Sequence, residues 1–131
     1  MIADTVPNAK GLNDIYLAEL KLGLGATQGD SGTIDHVDKT NEIINCKEAC
    51  ESLYADVKSI IEQKTELGII EGTKKEFCFG AKPKMMLILA YRGERERIKL
   101  ETECTKAKKR AREIGMEEPL CIMHNALIKL G

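Results

Sequence analysis

The clearest pattern of apolar and polar residues lies in the middle of the chain. Apolar side chains recur at alternating spacings of three and four residues from Ile43 to Leu67, interrupted at Lys64, which places them on one side of a helix. Charged residues occupy the other side. The pattern predicts an amphipathic helix over about 38–67, ended by Gly68 and roughly 45 Å long at 1.5 Å per residue.

The remaining segments carry weaker patterns. Apolar residues within about 13–22 predict a short helix, and two β-prone runs within about 69–79 predict a minor β element. The apolar run Met85–Tyr91 fits either a buried strand or a buried helix, and its Met, Leu and Ala content favours a helix. Helical spacing returns from Leu100, and this helix is predicted to end at Gly115.

The end of the chain, residues 111–131, resembles a helix-turn-helix unit. The resemblance implies a second helix that starts near Pro119 and enters the DNA major groove. The composition of that helix argues against base recognition, because Glu117 and Glu118 would face phosphate and the residues after them are apolar on nearly all sides. We therefore expect a packed or interface helix, with a DNA-binding regulator that uses residues 100–131 as the alternative.

Charge is distributed unevenly, although the formal net charge is only -1. Residues 1–72 hold 6 Lys and 13 Asp or Glu, a net of -7, whereas residues 73–131 hold 14 Lys or Arg and 8 Glu, a net of +6. The basic half either meets a polyanion such as nucleic acid or neutralises an acidic half. The candidate polyanion-binding residues are Lys106, Lys108, Lys109, Arg110 and Arg112.

Targeting signals and cysteines indicate the compartment. The first residues, MIADTVPNAKG, have no features of a signal peptide, and the longest apolar run is far shorter than the roughly 20 residues that cross a bilayer. The sequence contains 5 cysteines, an odd number with irregular spacing, which favours free thiols in a reducing compartment. We therefore expect a cytoplasmic protein without membrane association.

Candidate chemistry is sparse. A zinc site would need Cys46, Cys50, Cys121 and His124 to meet, but the Cys-x-x-Cys pairs of structural zinc sites are missing, and the first two cysteines lie on the apolar side of the predicted helix. A thiol nucleophile would need a partly exposed cysteine beside a base, for which Cys78 and Cys121 are the candidates. We assign no catalytic, cofactor-binding or metal-binding residue.

The sequence thus predicts a mainly α fold: one helical domain over residues 1–131, with a long amphipathic helix at about 38–67 and a minor β element at about 69–79. The predicted function is non-enzymatic self-association or docking on a protein partner, without a cofactor. A DNA-binding regulator is the alternative, and a thiol- or zinc-dependent protein is the third hypothesis. The predicted interface residues are Ile43, Cys46, Cys50, Leu53, Val57, Ile60, Leu67, Leu120, Met123 and Leu127.

Overall fold

The computed structural model of the chain describes residues 1–3, 7–27, 32–70, 77–79 and 82–126. These residues form an α/β fold, so the predicted mainly α class with one minor β element is wrong. The strands are β1 (Ile2–Ala3), β2 (Ile15–Leu22), β3 (Lys84–Tyr91) and β4 (Leu120–Asn125). The helices are α1 (Thr33–Asn45), α2 (Lys47–Glu66) and α3 (Glu94–Glu113), and a 3-10 helix spans Leu24–Thr27.

The strands form one sheet in the order β1-β2-β3-β4. β1 is antiparallel to β2, whereas β2, β3 and β4 are parallel to one another. Both connections between parallel strands move in the same direction across the sheet, and such connections are right-handed, so α1 and α3 lie on the same face, where they contact each other. We call this the covered face and the opposite one the open face.

Strand register assigns the apolar side chains to these two faces, because successive residues of a strand point to opposite sides. The covered face carries Leu17, Met85, Leu87, Leu89, Cys121 and Met123. The open face carries Ala18, Leu20, Leu22, Met86, Ile88, Ala90, Leu120 and Ile122, of which Met86 and Ala90 on the central strand are buried.

The hydrophobic core lies between the covered face and helices α1 and α3. Leu87, in the middle of β3, is fully buried and belongs to one cluster with Val37 of α1 and with Ala107 and Ala111 of α3. The two alanines are small enough for α3 to pack closely on the sheet. A second cluster, around Leu89, continues the core between β3, β4 and α3.

The predicted helix over about 38–67 is divided into two helices. Cys46 has an extended backbone, with φ -91° and ψ 107°, and separates α1 from α2. Next to it, Asn45 Nδ2 donates to the Asn41 carbonyl oxygen at 2.9 Å, a local side-chain bond that competes with continuation of the helix. The apolar spacing runs on across the break, so periodicity alone does not reveal it.

The predicted helix at 13–22 is also wrong, because residues 15–22 form β2. The undecided run Met85–Tyr91 belongs to β3. These two strands pair in register over seven residues each, and the cross-strand packing outweighs the helical preference of their leucines and methionines. A continuous apolar run is typical of a central parallel strand, which is flanked by other strands and covered by helices.

Two further predicted elements need correction. The expected second helix after Pro119 is strand β4, so the helix-turn-helix arrangement is not formed. In the predicted β element at 69–79, residues 69–70 and 77–79 are not in strands, and residues 71–76 lie outside the described part of the chain.

The predicted helix ends at Gly68 and Gly115 are confirmed. Both glycines have positive φ, 68° and 71°, which glycine adopts without steric cost. The helix predicted from Leu100 is confirmed as part of α3, which begins earlier, at Glu94. Among the helices of the described residues, none has the length and apolar character to span a membrane.

Candidate functional site

Two charged residues interrupt the apolar pattern of the covered face. Side chains alternate along β2, so Glu19 and Lys21 point to the same side as Leu17, toward the helices. Their register partners on β3, Leu87 and Leu89, are fully buried. Lys21 is only 8% exposed, and its Nζ lies 2.9 Å from Glu19 Oε1. A largely buried ion pair therefore lies beside the centre of the apolar core.

The Glu19 carboxylate also faces helix α1. His36 Nε2 lies 3.5 Å from the same Oε1. The side chains of Glu19 and His36 are 31% and 26% exposed, whereas that of Lys21 is 9% exposed. Solvent therefore reaches the carboxylate and the imidazole, and the ammonium group lies deeper. We call Glu19, Lys21 and His36 the Glu19 cluster.

A buried hydroxyl lies on the same helix as His36. Thr33 is one turn earlier in α1 and is fully buried. Its Oγ1 has no hydrogen-bond partner within the part of the chain that the structure describes. A buried hydroxyl without a partner costs free energy, which a bound polar group or water would recover.

Glu96 of α3 joins the segments that follow β2 and β3. Its Oε1 accepts a hydrogen bond from the Leu24 N–H at 3.2 Å, and its Oε2 accepts one from the Arg92 N–H at 2.8 Å. Gly23 makes this approach possible, because it has φ +77° and a Cβ there would lie 2.9 Å from Glu96 Oε1. The Glu96 carboxylate therefore links the segments that follow β2 and β3 at the C-terminal edge of the parallel strands. The Glu19 cluster lies toward the same edge.

Two exposed cations follow β3 at this edge, Arg92 and Arg95. The neighbouring acid Glu94 is already bound by Arg97, whose Nε donates at 3.0 Å. Parallel strands end at the same edge of a sheet, and ligands of open α/β sheets bind there. The two arginines favour an anionic ligand at this edge.

A shallow depression of about 90 Å³ lies at the opposite edge of the sheet, beside Lys84. Its cations already have partners: Lys84 Nζ donates to Asp14 Oδ2 at 3.0 Å, and Lys82 Nζ donates to Asn45 Oδ1 at 3.0 Å. This depression is a weaker candidate than the Glu19 cluster.

The predicted interface residues do not form one surface. On the two helices, the buried ones are Cys50 and Val57, the half-buried one is Leu53, and the exposed ones are Ile43, Cys46, Ile60 and Leu67. On β4, Leu120 is exposed on the open face, whereas Met123 packs into the core on the covered face. Leu127 lies outside the described residues.

Most of the predicted polyanion-binding residues are engaged within the chain. The pairs are Lys106 with Glu103, Lys109 with Glu113, Arg110 with Asp38 and Arg112 with Glu118. Lys108 is half-buried. The pair of Arg110 with Asp38 joins the basic half of the chain to the acidic half, with Nε 2.8 Å from Oδ1. Polyanion binding by this face stays a prediction.

The cysteine chemistry also changes with the fold. All five cysteines are free thiols, and within the described ranges no three His, Cys, Asp or Glu side chains are grouped to hold a metal ion. Cys121 and His124 are three apart on a strand, so they point to opposite faces and cannot act as a pair. The interaction of the neighbouring Cys104 and Cys121 thiols lowers the pKa of Cys121 and raises that of Cys104.

Because residues 13–22 are predicted to form a helix, the Glu19 cluster is not recognisable from the sequence. On a helix, residues two apart point to different sides, so Glu19 and Lys21 look like unrelated surface charges. On a strand, the alternation places them after Ile15 and Leu17 on one face. Two charges that continue an apolar face are the sequence signal that identifies the cluster, once the segment is interpreted as a strand.

Comparison of the chain with protein-family models, with curated proteins and with solved structures gives no match. The geometry of the Glu19 cluster and its charges are therefore the basis for a functional hypothesis.

Proposed function

We propose that the chain is a hydrolytic enzyme that acts on an anionic phosphate ester through the Glu19 cluster. The observation that carries this proposal is the 2.9 Å ion pair of Lys21 and Glu19 on the covered face. Removing two charges from water is costly, and apolar residues of similar volume are often equally stable or more stable at such positions. Such a pair is weak evidence for stability, and we therefore assign it a functional role.

The members of the cluster suit complementary chemical roles. Glu19, which solvent reaches, accepts a proton from the attacking water as a general base. The water oxygen bonds to phosphorus as the ester P–O bond breaks, and the leaving alkoxide takes a proton from solvent. The buried Lys21 ammonium holds the Glu19 carboxylate in place at 2.9 Å, and the exposed Arg92 and Arg95 stabilise the negative charge that develops on the phosphoryl oxygens. His36, 3.5 Å from the carboxylate, orients it.

The substrate class follows from the charges at the C-terminal edge. Arg92 and Arg95 favour a substrate with several negative charges, and a phosphodiester such as a nucleic acid strand meets this condition. Mg²⁺ at phosphoryl-transfer sites is commonly held by one or two carboxylates together with substrate phosphates. The proposed reaction is therefore best assayed with a divalent cation present.

The test is hydrolysis of bis(p-nitrophenyl) phosphate and of single- and double-stranded DNA, with Mg²⁺, with Mn²⁺ and with chelator. We expect Glu19→Gln and Lys21→Met each to lower kcat/KM by at least about 100-fold, the effect typical of losing a general base or the group that positions it. Circular dichroism checks that both variants fold.

The matched controls are Glu62→Gln and Lys58→Met, which make similar changes at exposed positions of α2. These variants should keep the full rate. A wild-type protein that hydrolyses none of the substrates under any cation condition, or a folded Glu19→Gln variant with the full rate, contradicts the proposal.

Two other functional predictions are affected by the fold. A helix-turn-helix regulator is no longer proposed, because residues 120–125 form β4. Self-association is compatible with a site at one edge of the sheet, and it stays a prediction. The five free thiols fit a reducing compartment, and we propose the cytoplasm as the location.

A further inference from the structure

Two of the five free cysteines meet inside the covered face. Cys104 of α3 is buried beside Leu89 and Leu100, and Cys121 of β4 packs against the same cluster. Their thiols are neighbours, although the two residues lie on different elements. Cys121 is half-buried, so a small molecule in solution reaches its sulfur more readily than that of Cys104. The pair combines an accessible thiol with a buried one.

One cation acts on both sulfur atoms. Lys108 follows Cys104 by one turn of α3 and is half-buried. Its basic neighbours on α3 are paired with acids, whereas no ion pair of Lys108 is found within the described ranges. The Cys104 thiol and Lys108 lower the pKa of Cys121, against the opposing effects of burial and of Glu118. The Cys121 thiol and burial raise the pKa of Cys104. Cys121 is therefore the thiol that ionises more readily, and the thiolate is the reactive form.

The other cysteines have different surroundings. Cys50 is buried, and its Sγ donates to two backbone carbonyl oxygens at 3.4 and 3.5 Å. Burial raises the pKa of Cys50, so its thiol keeps its proton. Cys46 and Cys78 are exposed, and they serve as comparisons for exposure alone.

We propose that Cys121 and Cys104 form a peroxide-oxidised dithiol, in which Cys121 reacts first and Cys104 completes a disulfide that joins α3 to β4. The Cys121 thiolate bonds to one oxygen of hydrogen peroxide, the O–O bond breaks, and the released hydroxide takes a proton, which leaves a sulfenic acid. Cys104 then loses its proton to solvent and attacks this sulfur. The S–O bond breaks, and the second hydroxide leaves as water. Two thiols are oxidised to one disulfide, and the peroxide is reduced to two water molecules.

The position of β4 suits such a reaction. In the sheet order β1-β2-β3-β4 it is an edge strand, bonded to β3 on one side. A disulfide needs its sulfur atoms about 2.05 Å apart, and an edge strand is less restrained against a shift toward α3 than a central one. A small thiol reverses the reaction by exchange, which returns both cysteines to the free form.

The test oxidises the full, reduced chain with hydrogen peroxide in air-free buffer, blocks the remaining thiols and maps the tryptic peptides. Trypsin places the two cysteines in different peptides, 100–106 and 113–129. We expect these peptides to be linked, with a mass two hydrogen atoms below their sum, and to separate after treatment with dithiothreitol. The same oxidation in concentrated urea should give a mixture of pairings, because the folded contact selects the partner.

Serine variants separate the two roles. Cys104→Ser should stop the reaction at the Cys121 sulfenic acid, which dimedone traps. Cys121→Ser should slow peroxide consumption at least about tenfold, because the more readily ionised thiol is lost. The matched controls Cys46→Ser and Cys78→Ser change exposed cysteines and should keep both the link and the rate. Circular dichroism checks that the variants fold.

Each outcome decides the proposal without reference to hydrolysis. A chain in which Cys46 or Cys78 is oxidised while Cys104 and Cys121 stay reduced overturns it, as does a disulfide between Cys46 and Cys50 in place of the expected one. Equal yields of the expected link in buffer and in urea also contradict it. If a serine variant unfolds, the peptide map of the wild type still decides, since the link between 100–106 and 113–129 supports the proposal and its absence overturns it.

Discussion

At the C-terminal end of β2, the side chains on the two faces of the sheet are the opposite of those expected. On β2, the covered face ends in Glu19 and Lys21, whereas the open face ends in Leu20 and Leu22, which are 66% and 50% exposed. The charged side chains lie under the helices, and the apolar ones lie in water. The same strand therefore carries two features that the stability of an isolated chain does not explain: a charged pair within the core and an apolar surface outside it.

The contrast shows that, on each face, the free-energy cost of the buried or exposed side chains has to be considered separately from their function. A charge placed under helices costs free energy unless pairing and hydrogen bonds compensate it, and a function is a reason to retain that cost. Exposed apolar side chains contribute less to the stability of the chain than buried ones. The proposed active site accounts for the charged pair on the covered face.

The largest expected effect compares central residues of the two faces. Leu87→Ala leaves a cavity in the middle of the covered face and should lower the free energy of unfolding by about 3 kcal/mol. Leu20→Ala, on the open face, should lower it by less than about 0.5 kcal/mol, because Leu20 is 66% exposed. Urea unfolding of both variants at low concentration makes the comparison. Equal losses would show that the open face is covered in solution by the chain itself.

The charged pair provides the next largest effect. The double variant Glu19→Leu/Lys21→Met replaces the ion pair by apolar residues of similar size and should raise the free energy of unfolding by about 1–2 kcal/mol. It should also abolish hydrolysis. Loss of hydrolysis together with a gain in stability supports a functional role for the pair, whereas a gain in stability alone does not.

The expected gain in the free energy of unfolding applies to the charged pair on the covered face and not to exposed charged residues. The control Glu62→Leu/Lys58→Met changes the same residue types at exposed positions of α2 and should alter the free energy of unfolding by less than about 0.5 kcal/mol. A clear loss of stability in Glu19→Leu/Lys21→Met would instead assign the pair a structural role.

How much of this fold follows from the sequence depends on the element. The helical spacing after Leu100 predicts α3, and Gly68 and Gly115 mark two helix ends, because these signals are local. β2 and β4 are not identifiable from spacing, since their leucines, isoleucines and methionines fit either period until a partner strand fixes the register. Long-range pairing decides their structure, and the contrast between the two faces of β2 becomes visible only afterwards.

The candidate site follows the same rule. Glu19 and Lys21 attract no notice as residues of a predicted helix, and His36 lies on a different element, so their contact depends on the packing of α1 against β2. Conversely, the apolar side of the helix predicted for 38–67 is interrupted at Cys46, where α1 ends and α2 begins. Local spacing describes each segment but not the turn between them.

The ion pair of Asp14 and Lys84 extends the comparison of the two faces to the border of the open face, where β3 begins. The hydrogen bond from Lys84 holds the pKa of Asp14 below its ordinary value, against an opposing effect of burial. Asp14→Asn should lower the free energy of unfolding at pH 7 by about 1 kcal/mol, the scale of a charge-assisted hydrogen bond.

The pH dependence of this effect has a defined direction. A carboxyl group with a lowered pKa in the folded state stabilises fully above its ordinary pKa of about 3.9, and the contribution is lost as the pH falls through the lower folded value. The difference between wild type and Asp14→Asn in urea unfolding should therefore shrink below about pH 4. Asp56→Asn, at an exposed position of α2, should show no such difference at either pH.

The smallest expected effect concerns the helices that cover the sheet. Arg110 of α3 and Asp38 of α1 are joined by a 2.8 Å contact, but their side chains are 38% and 40% exposed, so water and salt weaken their attraction. Arg110→Ala should lower the free energy of unfolding by about 0.5 kcal/mol, and a double-mutant cycle with Asp38→Ala isolates the pair. The coupling should decrease further in 1 M NaCl, where the screening length is about 3 Å. Since α1 and α3 are held on the covered face by Val37, Ala107 and Ala111 around Leu87, a coupling of several kcal/mol would mean that ionic contacts and not apolar packing hold this face closed.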